Sequence, residues 1–178
     1  MMSGKKRYMY MLLTGALLAL YLGALPCTAS ATEHQGTIQE KKTMSDNFEL
    51  FPRGGANTAY ARYFVGNSYL NMLSTEGVTI GNVTFEPACR NNWHIHHATS
   101  GGGQILLCTA GRGWYQEWGQ AARELHPGDV VHIPAGVKHW HGAAKDSWFV
   151  HLAVEVPGEN TRNEWLEPVS DAEYTKLP

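Results

Sequence analysis

Cysteine is scarce in this chain: Cys27, Cys89 and Cys108 are the only three in 178 residues. No pair has the CxxC spacing, so a thiol redox enzyme is not indicated. Charge is sparse as well, at 17% of residues with a formal net charge of -2. A nucleic-acid binder normally carries a basic face, and this chain has no basic surplus to build one. There is no solenoid repeat and no low-complexity segment. The length suits one well-packed domain rather than two.

What is present begins with a leader. Lys5, Lys6 and Arg7 precede an apolar run from Met9 to Leu25, and Ala29-Ser30-Ala31 then offers an A-x-A cleavage site before Thr32. Charged start, apolar middle and small-residue end read as a secretory signal peptide over residues 1–31. The other reading, a membrane anchor, is disfavoured because Thr14 and Gly15 interrupt the run and it falls short of the ~20 residues a span prefers. Pro26 before Cys27 disfavours lipidation. Cleavage removes three cations and no acid, so the exported chain is more acidic than the whole. A periplasmic or secreted location is expected, with no membrane association after cleavage. Residues 32–47 are polar and aperiodic, and read as a flexible leader. Residues 48–178 form the domain. In an oxidising compartment Cys89 and Cys108 either pair or sit as two small buried side chains, and the sequence leaves both open.

Nineteen Gly and eight Pro punctuate short runs in which apolar residues alternate. Tyr60–Phe64, Tyr69–Leu73, Val78–Phe85, Trp93–His97, Gln104–Thr109, Gly113–Trp118, Asp129–Ile133, Lys138–Gly142 and Trp148–Val154 read as strands. The turns between them include Gly66-Asn67, Pro127-Gly128 and Ala135-Gly136. About nine short strands with regular turn signals predict an all-β sandwich or barrel. Ser170-Asp171-Ala172-Glu173 is a capping box, and Val169 with Tyr174 makes a hydrophobic staple. One short C-terminal helix is expected there, packed on the outside of the barrel.

The histidines carry the chemistry. Eight of the nine lie between His94 and His151. His94 and His96 are two residues apart, so a strand puts both rings on one face, and His139 and His141 repeat the arrangement. Two such pairs pointing into one barrel converge on a shared point, and neutral imidazole is a favoured ligand for transition metals. His97 should face away from His96. His126 sits in a turn, and His132 lies on a strand with its facing open. Trp93, Trp114, Trp118, Trp140 and Trp148 are expected mainly in core or contact positions.

The segment from Asn91 to Val154 resembles the cupins, small barrels of the jelly-roll type. His94, His96, Gln104 and Gly111 match the family's first motif, with Gln104 where most cupins have Glu. Gly128, Pro134, Gly136 and His139 match its second. The spacer Ala98–Gly103 is longer than usual and reads as a flexible loop. The chain is also similar to bacterial cupins that act as (R)-selective hydroxynitrile lyases, through Val83–Pro87, Trp93–His96, Gln104, Gly113-Trp114, His126–Val131, Lys138–Ala144 and His151–Ala153. The cupin block associated with carboxymuconolactone decarboxylases is similar too, but the helical decarboxylase part has no counterpart here.

The resemblance implies a single-domain cupin barrel and a divalent metal on His94, His96, Gln104 and His139. Manganese is the leading candidate, with iron, zinc or nickel as others. Gln104 has a second reading as a plain strand amide, with three His holding the metal alone. The implied catalytic residues are His151 and His141; either could instead orient a ligand through a hydrogen bond. His141 shares its strand face with His139, whereas the facing of His151 is open. The implied function is a lyase that cleaves a C–C bond in a small hydroxylated substrate by metal Lewis acid plus His base. The competing readings are a dioxygenase-type oxidoreductase and a non-enzymatic small-molecule or metal-binding protein. A homodimer is expected by resemblance.

Overall fold

The computed structural model describes residues 48–178, so the signal peptide expected over 1–31 and the leader over 32–47 lie outside the described residues. Along the chain run β1 (Gly55–Ala56), a 3-10 turn (Ala61–Tyr63), β2 (Phe64–Val65), β3 (Ser68–Ser74) and β4 (Ile80–Phe85). β5 (Arg90–Asn91), β6 (His94–His97), β7 (Ser100–Gly101), β8 (Gln104–Gly111) and β9 (Gly113–Glu117) follow. Then come β10 (Arg123–Leu125), β11 (Val130–Ile133), β12 (Lys138–Ala143) and β13 (Phe149–Glu155). β14 (Gly158–Glu159), β15 (Arg162–Trp165) and the helix α1 (Asp171–Tyr174) complete it.

All strands but β7 and β14, which pair separately, build two antiparallel sheets that face each other as a jelly-roll barrel. One has the order β1-β3-β4-β13-β8-β11. The other runs β10-β9-β12-β5-β2, with β6 paired to both β12 and β15. Alternation sets which side chains meet between them. β8 buries Gln104, Leu106, Cys108 and Ala110 and leaves the residues between them half-exposed. Phe85, Leu106, Leu125, Ile133 and Phe149 are fully buried in the common core, each worth roughly 1.5–3 kcal/mol of burial. Cys89 and Cys108 sit in the same core as free thiols, and burial pushes both thiols up to about 12. The pairing left open above is not made.

A second apolar cluster covers the outside of the second sheet. Trp140 points outward from β12 and packs with Trp93, Trp114, Val169 and Tyr174. The capping box forms as expected: Ser170 Oγ accepts from Glu173 N at 3.2 Å and donates to Glu173 Oε2 at 3.0 Å. Tyr174 Oη donates to Ala143 O at 2.6 Å, and Arg90 binds Val169 O and Asp171 while lying over the Tyr174 ring. The short helix is therefore clamped to β5 and β12.

Two expectations need correction. Tyr60–Phe64 is not a strand: Tyr63 N bonds Tyr60 O at 2.8 Å, which closes a 3-10 turn before β2. The aromatics of this turn gather on Trp165: Tyr63 stacks on it at 4.6 Å, and Tyr60 and Phe64 lie tilted against it. The loop Ala98–Gly103 is tied down rather than free. Thr99 N bonds Glu159 O, Gly102 N bonds Pro157 O, and β7 pairs with β14. Gly101, Gly102 and Gly103 all have positive φ, and a Cβ on Gly103 would lie 2.3 Å from Ile133 O. These glycines permit close approach.

Candidate metal centre

β6 and β12 are adjacent and antiparallel, with His94 directly opposite His139. Both strands turn alternate residues inward, so His94, His96, His139 and His141 face the interior together. The ring centroids of His94 and His139 lie 4.1 Å apart, those of His94 and His96 5.2 Å, and those of His96 and His139 5.5 Å. One nitrogen from each of these three rings lies within 4.8 Å of the others, and all three residues are buried.

Hydrogen bonds decide which nitrogen points inward. His94 Nδ1 donates to Asn92 O at 2.9 Å and His139 Nδ1 to Val137 O at 2.9 Å. His96 Nδ1 donates to Glu155 Oε2 at 3.0 Å. Each neutral ring then keeps its lone pair on Nε2. Gln104 opens β8 on the opposite sheet. Its Nε2 donates to Glu155 Oε1 at 3.0 Å, which leaves the carbonyl oxygen as a free acceptor. His96 Nε2, His139 Nε2 and Gln104 Oε1 are buried with no partner. An orphaned buried polar atom costs about 1–3 kcal/mol, and three such acceptors beside one another fit a cation. Burial, reinforced by the neighbouring rings, holds His94 well below its usual pKa. Burial lowers His139 to about 4. Both are neutral at physiological pH, the form that ligates.

His141 faces the same interior but is held differently. Its backbone N–H donates to Asn91 Oδ1 at 3.0 Å, so Asn91 Nδ2 is left to donate to His141 Nε2 at 3.0 Å. That makes Nδ1 the protonated nitrogen, and it is buried without a partner. His151 is fully buried on β13, opposite Cys108, with both nitrogens unpartnered. Its ring meets His141 edge-on at 4.8 Å and stacks on Phe149 at 5.1 Å. Burial lowers His151 to about 3 and holds His141 well below its usual value.

A cavity of about 410 Å³ opens onto His94, His96, Gln104 and His141. Its walls are apolar on one side, with Phe64, Leu70, Met72, Val83 and Ala153, and polar on the other, with Asn163, Thr161 and Arg162. His151 is not among its lining residues and stands behind, against His141. His97 turns away and pairs with Glu164 at 2.6 Å. His126 and His132 are exposed on the outside.

Besides Asn91, two contributors were not singled out from the sequence. Trp165, on β15, stacks on His94 at 4.7 Å and lines the cavity. Glu155 lies opposite Gln104 in the β13–β8 register. The only sequence signal for Glu155 is its place four residues after His151, on the same strand face.

Comparison with known proteins agrees with this geometry. The Cupin domain family profile matches residues 81–155. An (R)-mandelonitrile lyase from Granulicella tundricola is 46% identical over 94 residues, which span 53% of this chain and 69% of that protein. A cupin-like protein of known structure from Thermotoga maritima is 39% identical and aligns with a TM-score of 0.63, over 72% of this chain and 96% of that one. With two facing sheets, inward histidine pairs on neighbouring strands and these relatives, the chain belongs to the cupin superfamily.

Proposed function

We propose that this cupin is a metal-dependent lyase that cleaves a C–C bond in a small hydroxylated substrate, in the manner of a hydroxynitrile lyase. The observation that carries the metal reading is the convergence of three buried imidazoles, each with Nδ1 already engaged. Similarity to an (R)-mandelonitrile lyase supports the reaction class. His94, His96 and His139 would hold the ion with Gln104 as a fourth donor, and we propose manganese. When bound, a divalent cation supplies Lewis acidity and a counter-charge for an anion.

The chain's own residues do the rest. Leu70, Met72 and Val83 offer an apolar wall for the substrate body. His141 Nδ1–H faces this interior as a donor for the substrate oxygen. His151 keeps the free lone pair that His141 lacks, and no hydrogen bond joins the two rings, so His151 itself is the proposed base and takes the hydroxyl proton from a substrate that reaches past His141. Loss of that proton lets the oxygen collapse to a carbonyl as the C–C bond breaks. The electron pair leaves with cyanide, which takes up the proton.

The test is (R)-mandelonitrile cleavage by manganese-loaded protein, wild type against His151→Ala and His141→Ala, with metal content measured in each. His151→Ala is expected to keep its metal and lose roughly 10²–10⁴-fold in rate, as for a lost general base. No cleavage above buffer by wild type would overturn the lyase reading and leave a binding module or an oxidoreductase. Metal stoichiometry is tested separately: His94→Ala combined with His96→Ala should abolish binding.

A further inference from the structure

The three histidines do not owe their orientation to the same kind of partner. His94 and His139 each bond a main-chain carbonyl two residues earlier, Asn92 and Val137. Those bonds belong to the backbone and no substitution at the acceptor removes them. His96 depends on a side chain. Glu155 Oε2 accepts from its Nδ1, and Oε1 of the same carboxylate accepts from Gln104 Nε2, both at 3.0 Å. One carboxylate thus orients a donor on β6 and a donor on β8, which lie in opposite sheets. The two atoms it frees, His96 Nε2 and Gln104 Oε1, are buried and unpartnered.

The fold places Glu155 there for a simple reason. β13 turns His151, Ala153 and Glu155 inward, and its last residue pairs with the first of β8. The Glu155 carboxylate is 37% exposed and borders a second opening, of about 280 Å³, lined also by His96, Thr79 and Asn163.

We propose that Glu155 is the positioning residue of the metal centre. It holds His96 as the Nδ1–H tautomer and keeps the Gln104 carbonyl turned inward. It also sets a negative charge one hydrogen bond behind two of the four neutral donors. This rests on the metal reading above. An acceptor behind a ligating imidazole makes its other nitrogen more basic, and loss of such a partner typically weakens metal binding by ~10–100-fold. The carboxylate is suited because it only accepts, and it faces two N–H donors. An amide of the same shape offers one acceptor and one donor. Its N–H would oppose either His96 Nδ1–H or the Gln104 amide N–H, and relief requires one of those groups to turn its donor nitrogen into the site.

The experiment titrates metal-free protein with Mn²⁺, reading free ion by electron paramagnetic resonance. Histidine tautomers are read in parallel from ¹⁵N chemical shifts of the metal-free protein. Glu155→Gln and Glu155→Ala are expected to bind ~10–100-fold more weakly, with unchanged metal-free unfolding for the isosteric Gln variant. In Glu155→Ala only His96 should lose its Nδ1–H preference, while His94 and His139 serve as internal controls. Combining Glu155→Gln with Gln104→Glu restores complementarity: the introduced amide accepts from His96 and donates to the introduced carboxylate. That pair should recover the His96 tautomer, a rescue that a purely structural role for Glu155 does not produce; its affinity is compared with Gln104→Glu alone, because a carboxylate donor tightens binding by itself. Single variants that match wild type in affinity and tautomer would overturn the proposal while leaving the metal site standing. Wild type that takes up no Mn²⁺ or other divalent ion would bring down the metal reading and this proposal together.

Discussion

Asn91 governs His141 by the way its own amide is held. The His141 backbone N–H fixes Asn91 Oδ1, so Nδ2 can only donate to the ring. Asn91→Asp replaces that donor with an acceptor. The ring proton should then move to Nε2, leaving a lone pair on Nδ1, and ¹⁵N shifts of His141 read the change. A ring still protonated on Nδ1 would show that some other contact sets it. The candidate ligands His94, His96 and His139 were legible in the sequence because i,i+2 spacing on a strand is local information. Glu155, Asn91 and Trp165 were not, since each acts on a residue at least 50 positions away in the chain, and the meeting exists only once strands pair.

Among the elements, β12 carries the most consequences. Gly142 lies opposite Arg90 in the ladder, and a Cβ there would sit 2.5 Å from Arg90 Cβ and 2.8 Å from Cys89 O. β5 would have to shift, and β5 also holds Asn91. Gly142→Ala should cost about 1–3 kcal/mol, the usual range for overpacking, measured by chemical denaturation. Ser170→Ala should cost about 1 kcal/mol by removing the cap of α1, and should leave metal binding unchanged because that helix sits outside the barrel. The helix was readable because its capping box and staple lie within six residues. β8 was readable from alternation, and β12 and β13 as short runs bounded by turn residues. β10 and β15 are short and polar, as in Arg162-Asn163-Glu164-Trp165, and carry no such signal; β15 becomes a strand only because β6 offers it an edge.

For the whole molecule, the histidine cluster links stability to pH. His94 and His141 are held well below their ordinary value near 6.5, His139 falls to about 4 and His151 to about 3. The unfolded chain takes up these protons first as pH drops. Their contribution is therefore complete above about 6.5 and is lost as pH falls toward the folded values, by up to ~1.4 kcal/mol per pH unit for each ring. The Tm of metal-free protein should fall steeply between pH 6.5 and 4.5. A flat profile would contradict the burial of these rings as neutral species. Export belongs to the same scale: protein recovered from a periplasm should begin near Thr32, and an N-terminus that retains Lys5–Arg7 would point to an anchor.

The face-to-face contact of Trp165 with His94 gives the site an optical reporter. All six tryptophans lie in the described residues, and Trp165 is the one stacked on a ligand ring, at 4.7 Å. Trp93, Trp114 and Trp140 sit in the outer cluster, Trp118 is exposed, and Trp148 is buried against Tyr69. A paramagnetic ion held by the Nε2 of that imidazole would quench Trp165 emission. The fall is bounded by the share of one emitter in six, and it disappears in Trp165→Phe. Occupancy can then be followed in unlabelled protein in real time, with no substrate present.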